Sequence, residues 1–272
     1  MSRRAGTHAL MVGLAIAFAT AAIGSEAYAQ QRAKDPEPKL AIEMRFGPYH
    51  PDVDQGVPGL VPNEASGIGH DGPYHHIFGD DRRFMVGLEV DWQALHVPHF
   101  GSVGIGGSIS YTASSGAAKF KNGPNAGTDS VENSTLTLWP FTALAVVRVD
   151  MLARDFGIPI IPYGKAGIGV AYWSATNGRG VATSQAEDFT KQPHDGGTLG
   201  RGHTNGFVYA VGAQLLLDFL DRQAAKTFAA EQGVLHTHLF LEYTVTQFHG
   251  LLQTGSMWVG DKTWNLGFMF EL

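Results

Sequence analysis

The sequence of 272 residues contains no cysteine, which excludes a disulfide framework, a thiol nucleophile and cysteine-ligated zinc. It also has no basic surplus, because 19 lysines and arginines face 25 aspartates and glutamates, giving a net charge of −6. A chain without excess cations does not neutralise phosphates well, so no nucleic-acid partner is expected. Charged residues are 16% of the chain, well below the roughly 25% of an average soluble domain. Together with its 35 glycines, this composition suggests a glycine-rich, aromatic-containing β protein.

Catalytic motifs are missing as well. The sequence has no phosphate-binding loop, no HExxH zinc motif, no nucleophile elbow and no haem-attachment motif. We therefore predict no catalytic residue and no cofactor.

No apolar run is long enough for a membrane-spanning helix, which takes about 20 residues. Residues 1–29 instead match a secretory signal peptide, with a basic start, an apolar stretch over 9–22 and a small-x-small cleavage site at Ala27–Ala29. We expect cleavage near Ala29 and a short polar periplasmic tail over 30–39.

Glycine is abundant, at 35 residues, and the rest of the chain alternates between apolar and polar positions. In the first such segment Leu40, Ile42 and Met44 share one face, and Glu43 and Arg45 share the other. This period of two is typical of a β-strand with one apolar face. Similar segments follow at about 84–92, 103–111, 133–149, 158–173, 205–220, 234–247 and 264–272. In the segment at 133–149 both faces are fairly apolar, so its facing stays open.

The connections between these segments alternate in length. Long polar loops are predicted at 48–82, 114–132 and 174–204, and shorter connections at 96–100, 150–157 and 221–233. We expect the last of these to be a small helix that Asp221 caps and Gly233 ends. Long loops at one end and short turns at the other are the layout of an outer-membrane barrel.

The predicted fold is all-β: an eight-stranded antiparallel up-and-down transmembrane β-barrel over 40–272, with long external loops and short periplasmic turns. We expect it in the outer membrane, in contact with outer-membrane lipid and, during insertion, with the barrel-assembly machinery. The alternating aromatic C-terminal strand is the predicted insertion signal, and its outward residues are Trp264, Leu266, Phe268, Phe270 and Leu272. A soluble β-sandwich or a lipocalin-like periplasmic ligand carrier is the alternative, with the apolar face lining a core.

Short clusters scattered over the chain carry a resemblance to a known family. They include Phe46–Tyr49, Phe78–Asp80, Arg148–Asp150, Pro162–Gly167, Leu216–Asp218 and Glu231–Val234. On these residues the chain resembles a poorly characterised family of outer-membrane β-barrel proteins of myxobacteria and related bacteria. The resemblance implies a fold and a location, and it transfers no active site.

Charges of both signs fall on the predicted interior face. These residues are Glu43, Arg45, Glu89, Asp91, Lys165 and Glu242. Side chains fill an eight-stranded barrel, and an unpaired buried charge costs several kcal/mol. We therefore predict a paired structural network in a narrow, filled lumen, with a proton or ion path as the alternative. General porins take about 16 strands, so the expected role is structural or is carried by the surface loops.

Two sharper hypotheses remain open. Asp52, Asp54, His75, His76 and Asp80 form a possible weak metal site in the first long loop, although the same residues suit a solvated loop. Separately, some outer-membrane barrels modify lipid A with a histidine and a serine, and His236 and His238 lie in a predicted strand. No serine lies two residues from either histidine, so the lipid A acyl hydrolase or transferase reading is only an alternative.

Overall fold

A computed structural model describes residues 38–57, 72–119, 128–177, 180–181, 183–184, 198–251 and 256–272. The predicted signal peptide and most of the predicted tail lie outside the described residues.

In the described part of the chain, eight long strands form one closed antiparallel barrel. They are β1 Leu40–Tyr49, β2 Arg83–Val97, β3 Gly101–Lys119, β4 Asp129–Arg148, β5 Ile160–Asn177, β6 Arg201–Leu216, β7 His236–Gln247 and β8 Asp261–Glu271. Each strand pairs with the next along the chain, and β8 pairs with β1 to close the ring. The predicted eight-stranded up-and-down barrel is confirmed.

The strands are staggered around the barrel. From Met44, paired residues lead through β2, β3 and β4 to Val170 on β5. In the other direction they lead through β8, β7 and β6 to Ile160 on the same strand. This shift between the two paths means that the strands tilt against the barrel axis, as closure requires.

Among the ladders between the eight barrel strands, the one that closes the barrel is the shortest. β1 pairs with β8 only over Ala41–Phe46 and Leu266–Glu271. By contrast, β3 pairs with β4 from Ser102 to Lys119, almost along its whole length. We call the β1–β8 ladder the closing seam.

The two ends of the barrel differ. At the turn end lie both termini of the barrel and the short connections after β2, β4 and β6, and at the loop end lie the long connections. At the loop end the predicted loop over 114–132 is wrong over much of its length, because β3 continues to Lys119 and β4 begins at Asp129. Hydroxyl pairs such as Ser115 Oγ and Thr135 Oγ1, 3.0 Å apart, continue the ladder there without apolar alternation.

Three helices lie in the described connections: α1 Pro73–Phe78, α2 Met151–Arg154 and α3 Arg222–Gln232. The start and end predicted for α3 are confirmed. The Asp221 carboxylate accepts hydrogen bonds from the backbone N–H groups of Gln223 and Ala224, and Gly233 ends the helix in the left-handed region at φ 73°. None of the described helices has the length and apolar character needed to cross a membrane.

The barrel is apolar outside and charged inside. The predicted outward residues, such as Leu88 and Leu266, are 45% and 51% exposed, whereas Glu43 and Glu89 are completely buried. The structure also decides the facing of β4. Its outward side carries the exposed Trp139, Phe141 and Val147, and its inward side carries Leu138, Leu144 and Val146.

The filled lumen as candidate functional site

The structure brings all six predicted interior charges into the lumen. Lys165 Nζ lies 2.5 Å from Glu43 Oε2, 2.6 Å from Glu89 Oε1 and 3.3 Å from Glu242 Oε2. Arg45 pairs with Glu89 and lies 3.4 Å from Glu242. Four strands therefore supply one connected set of ion pairs across the narrow interior.

Sequence reasoning missed the third cation of this network, Arg148 at the end of β4. Its guanidinium lies 2.8 Å from Glu43 Oε1 and also pairs with Asp91. Side chains alternate along a strand, so Arg148 lies on the face opposite to Trp139 and Phe141. Placing those two aromatic residues on the outer face would therefore have placed Arg148 in the lumen. Both faces of β4 are apolar, and this concealed the signal.

We call Glu43, Arg45, Glu89, Asp91, Arg148, Lys165 and Glu242 the lumen network. Its four carboxylates outnumber its three cations, and hydroxyl groups donate additional hydrogen bonds to one of the carboxylates. The Tyr163 hydroxyl donates to Glu242 at 3.0 Å, and the Thr244 hydroxyl donates to it at 2.8 Å. Such donors lower the cost of keeping a carboxylate away from water.

Among the described residues, one group of three acids has ligand atoms close enough for a shared metal ion, namely Glu43, Glu89 and Asp91 within 4.8 Å. Each of these carboxylates already pairs with Arg45, Arg148 or Lys165. The side-chain cations of the protein therefore stand where a bound cation would stand.

Polar pairs continue the filling toward the turn end. His238 Nε2 lies 3.3 Å from Glu271 Oε2, and Gln93 Nε2 donates to Glu271 Oε1 at 3.0 Å. His236 Nδ1 lies 2.6 Å from Asp218 Oδ2. Both histidine rings are buried in the lumen, with no more than 5% of either residue exposed. They therefore face the interior and not the outer surface of the barrel.

An apolar cluster, the loop-end cap, closes the other end. Its buried members include Tyr49, Tyr74, Leu136, Leu138, Phe248 and Val259. Two hydroxyl groups tie the cap together: Tyr49 donates to the Val259 carbonyl, and Tyr74 Oη lies 2.8 Å from Ser114 Oγ. The cap places hydrocarbon between the lumen network and the loop-end solvent.

The predicted metal-site residues serve the loop-end structure. Asp54 accepts hydrogen bonds from the backbone N–H groups of Tyr74 and His75, each at 2.8 Å, at the start of α1. His75 Nδ1 lies 2.7 Å from Asp80 Oδ1, and Asp52 accepts from Gln55 Nε2 at 2.9 Å. Asp52, Asp54, His75, His76 and Asp80 do not come together as a group of three metal ligands in the described structure.

Comparisons with known proteins give matches to solved structures alone. No protein-family model matches the chain, and no curated protein matches it. OprG from Pseudomonas aeruginosa is 13% identical with a TM-score of 0.43, over 86% of this chain and 96% of that one. Ail, the attachment invasion locus protein of Yersinia pestis, is 12% identical with a TM-score of 0.40, over 87% and 100%. Neisserial surface protein A is 10% identical with a TM-score of 0.40, over 86% and 96%. At such values no function is carried over, and the closed barrel rests on its own strand pairing.

Proposed function

We propose that this chain is an integral outer-membrane β-barrel whose lumen is filled and whose role is structural or is carried by its loop end. Export by cleavage of residues 1–29 near Ala29 and insertion by the barrel-assembly machinery belong to the same proposal. The turn end then faces the periplasm, and the loop end faces the outside.

One observation carries the membrane assignment. The eight barrel strands have an outer band that runs from the aromatic side chains near the loop end to the turn end. In this band their outward positions hold no Asp, Glu, Lys or Arg. The aromatic girdle at the upper boundary consists of Phe84, Tyr111, Trp139, Tyr172, Phe207, Tyr243 and Trp264. Such a band with an aromatic girdle suits hydrocarbon and the membrane interface, because a soluble carrier would expose its charges and bury this surface.

Carbonate extraction of outer membranes tests this assignment. The protein should stay in the membrane pellet and show heat-modifiable gel mobility, as a closed barrel in lipid does. Release into the soluble fraction would favour the soluble carrier.

The filling of the lumen supports a role other than a pore. The lumen network bridges the interior, and the loop-end cap covers it with Leu136, Leu138 and Phe248. Purified protein in planar bilayers should therefore show no steady ohmic conductance. A stable open conductance would instead favour the proton or ion path.

The strands that rise above the girdle present polar hydroxyl groups to the outside. Ser115 and Thr135 lie on the outer side of β3 and β4 there, and Val131 at the tip of β4 is fully exposed. This raised wall is the surface that we propose for interaction.

The lipid-modifying enzyme gains no support from the inward His236 and His238, and mass spectrometry of lipid A with and without the gene tests it directly. An altered lipid A profile would contradict the structural role.

A further inference from the structure

The connection between β6 and β7 forms a groove on the outer side of the barrel, at the turn end. The base of β6 and helix α3 enclose roughly 630 Å³ there. Its apolar lining comes from Leu217 and Leu220 below β6 and from Ala224 and Phe228 on α3. Thr237, at the start of β7, completes the barrel side of the groove.

Helix α3 lies beside the barrel without being buried in it. Not one residue of Arg222–Gln232 is buried. Phe228 is 40% exposed, and Leu220, one residue before the Asp221 cap, is 70% exposed. Large apolar side chains that are exposed on a helix and just before its first residue are unfavourable in water and favourable at a lipid interface.

The position of the groove matches the lower edge of the apolar band. β6 carries the outward Phe207 in the girdle and continues outward through Tyr209, Val211 and Leu215. The ten steps along the strand from Phe207 to Leu217 cover about 25 Å along the barrel axis for a strand tilted by roughly 40°. That is the height of the lipid-facing band, so Leu217 lies at its lower boundary and α3 begins just beyond it.

Neighbouring turns expose apolar side chains at the same end. Phe156 and Ile158, between β4 and β5, are 62% and 44% exposed, and Phe100, between β2 and β3, is 44% exposed. Three connections at the turn end, those after β2, β4 and β6, thus expose large apolar side chains.

We infer that α3 is an interfacial helix and that its groove holds an acyl chain of a phospholipid of the inner leaflet. The inference rests on the proposed membrane location. Leu217, Leu220 and Phe228 contact the chain, and the cationic Arg222 and Lys226, which do not line the groove, face the headgroups or water. Two of the three acids that line the groove already have structural partners, because Asp218 pairs with His236 and Asp221 caps α3.

The absence of cysteine makes a site-specific test direct. Single variants Leu220→Cys, Phe228→Cys, Arg222→Cys and Leu241→Cys are spin-labelled and placed in vesicles of phosphatidylethanolamine and phosphatidylglycerol. Electron paramagnetic resonance then compares the accessibility of each label to oxygen, which concentrates in lipid, and to a water-soluble nickel chelate. Heat-modifiable mobility shows that each labelled variant is folded.

Labels at Leu220 and Phe228 should favour oxygen over the nickel chelate, and the label at Arg222 should favour the chelate. A label at Phe228 as accessible to the chelate as the label at Arg222 would overturn the inference. Leu241, which is 49% exposed on the outer side of β7, separates the two proposals. If its label is in lipid while the Phe228 label is in water, only the groove proposal fails. If the Leu241 label is also in water, the membrane assignment itself fails.

Discussion

Arg45 pairs with three of the four lumen carboxylates, Glu43, Glu89 and Glu242. We expect Arg45→Met to lower the free energy of unfolding by about 3–5 kcal/mol, because it leaves buried carboxylates without their cation. The double variant Arg45→Met with Glu89→Gln should be less destabilised than the single one, since it removes a charge of each sign. Urea unfolding in lipid vesicles, followed by gel mobility, measures both.

A matched control exists at the loop end. Lys119 pairs with Asp129 there, and these two side chains are 36% and 64% exposed, compared with 6% for Arg45. Solvent screens such a pair, so Lys119→Met should cost about 1 kcal/mol or less. Equal losses for Arg45→Met and Lys119→Met, or a double variant less stable than Arg45→Met, would contradict a paired structural network.

His50, just beyond β1, gives the loop-end cap a dependence on pH. Burial is the main reason that the pKa of His50 lies below its usual value, and the nearby Arg82 lowers it further, against the opposing effect of Asp261. The folded protein then binds fewer protons than the unfolded chain, so the contribution of His50 is complete above about pH 6.5 and decreases as the pH falls below it.

The effect should appear in α1, because the His50 ring packs edge-on against Tyr74 with 5.1 Å between ring centroids. Hydrogen exchange of the 72–79 segment, corrected for the intrinsic rate, should be faster at pH 5.5 than at pH 7.5. In His50→Asn this difference should shrink. An unchanged difference would show that His50 does not cause it.

The loss of β8 would leave two strand edges of the barrel without a partner. This strand pairs with β7 along most of its length and with β1 at the closing seam. Deletion of Trp264–Leu272 leaves open edges, and unpaired backbone groups are not tolerated in lipid. We expect the truncated chain to be exported and then degraded, as measured by flotation with outer membranes and by protease resistance. Phe270→Ala, which keeps the backbone ladder, should still assemble.

At this scale the sequence predicted some elements and missed others for clear reasons. Asp221 and Gly233 marked the bounds of α3 because capping chemistry is local to the chain. The sequence predicts a loop over the upper parts of β3 and β4, because Ser, Thr, Gly and Ala show no apolar alternation there. Cross-strand pairing holds them in the sheet, and pairing partners are not visible in a single segment.

For the molecule as a whole, the decisive property is the hydrocarbon-compatible outer band. Leu88→Arg, in the middle of this band, should cost about 2–4 kcal/mol and lower the yield of assembled barrel. Val131→Arg introduces the same charge on β4 above the girdle, at a fully exposed position, and should have little effect. Heat-modifiable mobility and folded yield report both variants, and equal yields would count against the assigned band.

The alternation of inward and outward positions predicts the general layout of the lumen, because the inward positions of β1, β2, β5 and β7 contain charges that must pair in a narrow barrel. The loop-end cap was not predictable in this way. Phe248 and Val259 come from the connection between β7 and β8. They meet Leu136 and Leu138 because β4, with 20 residues, continues beyond the ends of β1 and β8, which have 10 and 11. The same inward leucines made β4 apolar on both faces, which also hid Arg148.

The closing seam makes the barrel mechanically weaker on one side than on the other. The backbone ladder between the first and last strands covers only Ala41–Phe46 and Leu266–Glu271, whereas ladders far from the chain ends, such as β3 with β4, are far longer. A pull on the C-terminus therefore acts on the shortest ladder first and peels β8 from β1, while the wall formed by β3, β4 and β5 stays intact. We also expect the β1–β8 ladder to be the last to form, because it joins the two ends of the strand order, and until it forms the barrel would be a curled sheet with a lateral opening.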